Sequence, residues 1–285
     1  MLWECSISRN SFALMVFFLK AALYCLVLLS FLNLERTLAQ VAPANSRIDT
    51  AVFMLNEKPI KLIRYHYGDA HIRFLSLHDT EKTGLKAAFK YMGIHGGCAI
   101  ELQYGKVRNI DFTDSLKHFS FDPNNMFTYE GAYLGLARYS APQVHNGLPE
   151  KVRSLGDEVL KFGSLDSLGV MITLHNNYNG GFSVYSYTEG NYLHSSADDV
   201  YINSKMDPDD LVFVTDRRFF DYLKAKSINV VLQSMLVPDD GSLSVFAMQN
   251  DIPYANVEVQ HGHHDENYRL IVAVSEMLAE LDIRR

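Results

Sequence analysis

Cysteine is scarce in this chain of 285 residues, which has Cys5, Cys25 and Cys98 and no others. The first two lie in a stretch that reads as removable, so the folded part is expected to hold one thiol and no internal disulfide. Positive charge is also in deficit. The 26 Lys and Arg stand against 33 Asp and Glu, a net charge of -7 with a pI near 5.9, and this removes any electrostatic case for nucleic acid. No internal repeat or low-complexity tract interrupts the sequence. The glycine pairs Gly96-Gly97 and Gly180-Gly181 lack a phosphate-loop context and read as turns. Ser242 and Ser244 have no Ser-His-Asp framing. With 48% hydrophobic and 21% charged residues, the chain can bury a large core.

The longest apolar run is at the start. Residues 21–32 are uninterrupted and preceded by Lys20, and Thr37 and Ala39 put small residues where a signal peptidase reads. The run is shorter than the ~20 residues of a spanning helix. Residues 1–39 are therefore expected to be a secretory signal, with an uncleaved N-terminal anchor as the alternative and Met15 as an alternative start. Tyr24 is too bulky for a lipoprotein site at Cys25. The mature chain is expected to be secreted or periplasmic, touching a membrane only through the N-terminal segment if that stays uncleaved.

Residues 40–50 read as a linker and 51–285 as a single domain in which strands and helices alternate. Strands are expected at 61–65 and 71–78 as a pair joined by a turn, then at 98–104, 107–112, 168–174, 211–215, 229–232 and 254–259. Helices are expected from Thr83, over 150–162, from 217 through Lys226, and over 265–281. Several strands are apolar on both faces. The fold class is thus α/β, a three-layer α/β/α arrangement around a mixed, mostly parallel sheet.

His78 and Glu81 fall where a strand hands over to a helix, the usual place for a ligand site in such folds. A His-x-x-Glu pair there can aim an imidazole nitrogen and a carboxylate at one point, and zinc accepts such a set if a third protein ligand is present. Alone, the pair reads equally well as a helix start with a solvated Glu. His175 ends the apolar strand 168–174, the same kind of position, and could supply the third ligand; a hydrogen-bonded loop histidine is the bland alternative. Glu258 sits within an otherwise sheet-like run. It is either an edge residue facing water or a costly buried carboxylate that serves as a general base. His261, His263 and His264 cluster just beyond it, as solvated loop residues, as part of a cleft lining or as a weak second ion site.

The order His78-x-x-Glu81, distant His175, then Glu258 resembles the zinc carboxypeptidase superfamily, including its aspartoacylase and succinylglutamate desuccinylase relatives. The segment Phe121-Asp122-Pro123-Asn124-Asn125-Met126-Phe127-Thr128 resembles that family's substrate-binding Asn-Arg segment. The likeness spans roughly residues 60–265. It implies a carboxypeptidase-like fold and one Zn2+ per chain held by His78, Glu81 and His175. It further implies Glu258 as general base, Arg108 as the upstream arginine that polarises the scissile carbonyl, and Asn124 and Asn125 as substrate-binding residues. Where the family has Arg, this chain has Asn125, which offers neither charge nor a fork of donors. Arg217, at a helix start after a strand, is a second candidate to reach substrate, and the paired Arg217-Arg218 also suits a surface salt bridge.

The resemblance implies a zinc-dependent hydrolase, a metallopeptidase or amidohydrolase, and the N-terminal segment 1–39 adds the expectation that it is exported. Its substrate would be a small peptide, including a cell-wall peptide, or an acylated amino acid. A non-catalytic ligand-binding domain on the same fold and a non-peptide deacylase or esterase are the alternatives.

Overall fold

Nine strands form one sheet in the order β1-β2-β4-β3-β7-β11-β9-β10-β8. In this computed structural model the described residues are 42–69, 72–165 and 170–283. The strands are β1 (Arg47–Leu55), β2 (Lys58–Tyr67), β3 (Arg73–Ser76), β4 (Gly97–Gln103), β7 (Met171–Asn177), β8 (Ala197–Tyr201), β9 (Leu211–Val214), β10 (Val230–Gln233) and β11 (Tyr254–Gln260). A separate hairpin pairs β5 (Ile110–Asp114) with β6 (Lys117–Phe121). The helices are α1 (Thr83–His95), α2 (Tyr129–Tyr139), α3 (Leu148–Gly163), α4 (Arg217–Ala225), α5 (Leu243–Gln249) and α6 (His264–Glu280).

The central strands β4, β3, β7 and β11 run parallel, and the sheet turns antiparallel on both sides of them. Parallel strands must bury both faces, and every residue of β7 and β9 is buried. One apolar layer joins α1, α4 and α6 to Phe74, Ile172, Leu174, Val212, Val257 and their neighbours. The other joins α2, α3, α5 and the β5–β6 hairpin to Leu75, Ile100, Met171 and Tyr254. The result is the α/β/α sandwich with a mixed sheet that alternation in the sequence predicts.

Three expectations need correction. The strands near 61–65 and 71–78 are not paired with each other, because β4 lies between them, antiparallel to β2 and parallel to β3. A Tyr-Gly-Asp turn suggests a hairpin locally, but the better use of the apolar β4 is in the middle of the sheet. The stretch 40–50 is not all linker, since β1 begins at Arg47 and pairs along its whole length with β2. The short β6 and β8 and helices α2 and α5 are additional to the expected set. The expected signal or anchor over 1–39 lies outside the described residues. Among the described residues no helix is long and apolar enough to cross a membrane.

Helix α2 shows how the second layer is tied down. The Thr128 side chain accepts from Gly131 N and caps the helix. A Cβ at Gly131 would collide with the backbone of Gly241, whose own φ of +78° suits glycine. Backbone cannot yield as a flexible side chain can. Gly131→Ala should therefore destabilise the protein by about 1–3 kcal/mol, the usual cost of overpacking, read as a lower denaturant midpoint; an unchanged midpoint would refute the tight approach.

Candidate active site

The parallel strands bring their carboxyl ends to one edge, and the chemistry-bearing residues follow from that. His78 and Glu81 come just after β3, with Glu81 N donating to His78 O in a tight turn. His175 is inside β7 and Glu258 inside β11, and the two are register partners. All four are buried. His78 Nδ1 lies 3.0 Å from Glu81 Oε1 and 3.2 Å from His175 Nδ1, and His175 Nδ1 lies 3.1 Å from Glu81 Oε2. Tetrahedral zinc with bonds of 2.0–2.1 Å holds its ligand atoms about 3.3 Å apart, so the spacing fits. Among the described residues this is the only group of three or more such side chains able to converge on an ion.

The electrostatics fit as well. Burial opposes a charge on His78, but hydrogen bonds and charge from Asp122 and Glu81 outweigh it and raise the imidazole to about 9. Burial likewise opposes ionisation of Glu81, yet His175 and His78 hold it well below the usual carboxylate range. This is a pocket of buried carboxylates that calls for positive charge. Asp122 Oδ1 sits 2.8 Å from His78 Nε2. The ring thereby presents Nδ1 to the common point, the carboxylate–histidine arrangement that fixes tautomer and orientation in metal sites.

Asp122 carries this role without having been singled out from sequence, where it stands only as one member of the segment 121–128. Asn176 is a second such residue. Its backbone N–H donates to Glu81 Oε2 at 3.0 Å, and its side-chain Oδ1 accepts from Thr83 N at 3.1 Å, at the start of α1. Asp79, next to His78, accepts from three successive backbone N–H groups, those of Tyr104, Gly105 and Lys106, at 2.8–2.9 Å. That clamp shapes the loop carrying Arg108.

Arg108 lies beside these residues, donating to Glu81 Oε1 and, at 3.3 Å, to Asp122 Oδ2. A cleft of about 540 Å3 opens here, lined by Glu81, Arg108, Asn124, His175 and Glu258 at one end and by Phe182, Tyr187, Phe213, Leu243, Val245 and Tyr254 along its walls. Burial, followed by the charge of Glu81, pushes the Glu258 carboxyl up to about 8.

Two sequence-based substrate residues are placed elsewhere. Asn125 does not line the cleft; its Nδ2 donates to Asp240 O at 2.7 Å. Arg217 pairs with Asp199 at 2.7 Å and lines a different surface pocket. The reason is strand direction. β9 is antiparallel to β11, so Leu211 lies opposite Glu258 and the carboxyl end of β9, which leads to Arg217, points to the far edge of the sheet. Of the histidine cluster, His261 stacks on Tyr178 and borders a recess beside Glu81 and Arg108, while His263 Nδ1 bonds Asp210 at 3.1 Å. Cys98 is buried and free.

No family model and no curated protein matches this chain. It is similar to several solved structures. One is a candidate metallopeptidase from Shewanella denitrificans at 13% identity, with 81% of this chain and 84% of that chain covered and a TM-score of 0.38. Another is an aspartoacylase family protein from Mesorhizobium loti at 10% identity, covering 84% and 68% with a TM-score of 0.42. A third is thrombin activatable fibrinolysis inhibitor at 9% identity, covering 81% and 71% with a TM-score of 0.44.

The donor geometry leads to a direct expectation. The purified chain should bind about one equivalent of zinc, and His78→Ala or His175→Ala should abolish tight binding. Asp122→Asn should weaken zinc binding by roughly 10–100-fold, the usual cost of removing such a support. Metal titration checks all three, and wild-type affinity in either histidine variant would remove the site.

Proposed function

We propose that the chain is an exported zinc-dependent hydrolase that cleaves an amide or peptide bond in a small peptide or an acylated amino acid. The observation that carries this reading is the placement of Glu258 directly across from His175 in the β7–β11 register, with Arg108 lining the same cleft. Glu81, His175, Glu258 and Arg108 thus line one space large enough for a small substrate.

Zinc held by His78, Glu81 and His175 would supply Lewis acidity and a water that ionises near neutral pH. Glu258 is the proton carrier. It takes a proton from the attacking water and delivers it to the departing nitrogen, so that the amine leaves neutral. Arg108 supplies donors for the carbonyl oxygen as negative charge develops there. The apolar wall of Tyr187, Phe213, Leu243 and Val245 buries the organic part of the substrate and keeps water out. Support for export is the apolar run 21–32 with small residues at 37 and 39.

Glu258→Gln separates this reading from a binding module. The variant should keep its zinc, because Glu258 is not among the ligands, and lose about 10²–10⁴-fold in kcat. A panel of peptides, acyl amino acids and cell-wall fragments supplies the assay. Equal turnover in wild type and variant would remove Glu258 from the mechanism, and binding without turnover in any form would favour the ligand-binding alternative. For export, N-terminal sequencing of cell-produced protein should find a start near Gln40 outside the cytoplasm; Met1 or Met15 on membrane-bound material would mean an anchor instead.

A further inference from the structure

The register of β7 and β11 pairs Thr173 with Asn256 as well as His175 with Glu258. Side chains alternate along a strand, so Tyr254, Asn256 and Glu258 share one face of β11, and Tyr254, Asn256 and Glu258 all line the cleft. A row of hydrogen bonds runs through them. Thr173 Oγ1 donates to Asn256 Oδ1 at 3.1 Å. A threonine hydroxyl has one proton, so in its 2.5 Å contact with the Tyr254 hydroxyl the tyrosine is the donor. With Oδ1 engaged, the Asn256 amide turns Nδ2 to Glu258 Oε2, 3.4 Å away. Among the described residues this is the one hydrogen bond made to the Glu258 carboxylate. Thr173 is fully buried and Tyr254 nearly so. Tyr254 thus donates to Thr173 and Thr173 to Asn256, and the row continues outward to the carboxylate.

We propose that this row aims Glu258, with Asn256 as the positioning residue and Thr173 and Tyr254 holding its amide in the donating orientation. The inference rests on the reading of Glu258 as proton carrier. A carboxylate that must take a proton at one point and release it at another depends on its direction, and a misplacement of about 1 Å can cost 10²-fold in rate. The row sets that direction from three strand positions rather than from a loop, and strands are the stiffer support.

The test uses the zinc-loaded full chain and the peptide or acyl amino acid that wild type turns over fastest. Asn256→Leu should lower kcat by roughly 10–100-fold with little change in KM and with zinc stoichiometry intact. In the Glu258→Gln background the same substitution should cost nothing further, because the residue it serves is gone. Thr173→Val, nearly isosteric, should act in the same direction with a smaller loss, and it serves if the leucine variant does not fold. Crystal structures read the row without any turnover: Glu258 should occupy one rotamer in wild type and more than one in Asn256→Leu. A single wild-type rotamer in both variants would overturn the proposal. So would an equal fold-loss with and without Glu258, which marks a purely structural role. Full activity in Glu258→Gln would instead defeat the proposed function, while the rotamer readout would still judge the row.

Discussion

Glu81, Asp122 and Glu258 are buried carboxylates gathered around two imidazoles and one arginine. Charges taken out of water cost several kcal/mol each unless partnered, so the site depends on positive charge being delivered to a common point. In the protein alone, a proton on His78 and the guanidinium of Arg108 meet part of that need: against the cost of burial, Asp122 and Glu81 raise the His78 imidazole to about 9, and Glu81 stays well below the usual carboxylate range. A divalent cation held by His78, Glu81 and His175 would meet it better, with two charges at the centre of the cluster. The same arrangement accounts for the contrast between the two glutamates. Glu81 is surrounded by donors and is held well below the usual carboxylate range; Glu258 is raised by its burial and then by the neighbouring charge of Glu81, against which a single amide donor does little.

The backbone is organised to hold this unfavourable cluster together. Each central parallel strand contributes one part, β3 the His-x-x-Glu turn, β7 His175, β11 Glu258, and β4 the loop that ends in Arg108. These strands are pinned by apolar residues on both faces, so their carboxyl ends cannot separate without opening the core. Cross-links at the edge add to this. Asp79 gathers the N–H groups of residues 104–106, and the Tyr104 hydroxyl donates to Arg108 O at 2.9 Å. The residue beside the first histidine thus shapes the loop that bears the arginine.

The parts of this site that are legible in the sequence share a common trait: they depend on local pattern and order. His78-x-x-Glu81 is a single turn, His175 and Glu258 end or occupy recognisable apolar runs, and the alternation of strands and helices gives the three-layer fold. What is not legible depends on pairing between distant segments. That β4 inserts between β2 and β3, and that β9 reverses direction beside β11, cannot be read from composition, and the second of these is why Arg217 lies at the wrong edge. The supporting residues Asp122, Asn176, Thr173 and Asn256 are ordinary polar residues by themselves. Asp122 and Asn176 gain their partners from distant segments, and only the β7–β11 register sets Asn256 opposite Thr173.

Asn125 shows how a motif can align in order and still differ in use. Its place in the Asp122–Thr128 segment suggests a recognition residue that has lost its charge. In the fold it is a structural tie. Its amide donates to Asp240 O, its side chain lies where a Cβ on Gly135 of α2 would sit, and its carbonyl crowds Gly241. Neighbouring contacts make the same connection, with Phe127 N donating to Gly241 O at 3.1 Å and the Thr128 hydroxyl to Asp239 at 2.7 Å. The segment from 122 to 128 therefore does two jobs with adjacent residues. Asp122 orients His78 at one end. Asn125, Phe127 and Thr128 fasten the 239–241 loop, which leads into the Ser242, Leu243 and Val245 wall of the cleft. An arginine at position 125 would have to displace that loop to reach a substrate, so the charge balance of the cleft and the position of its wall are set by the same side chain.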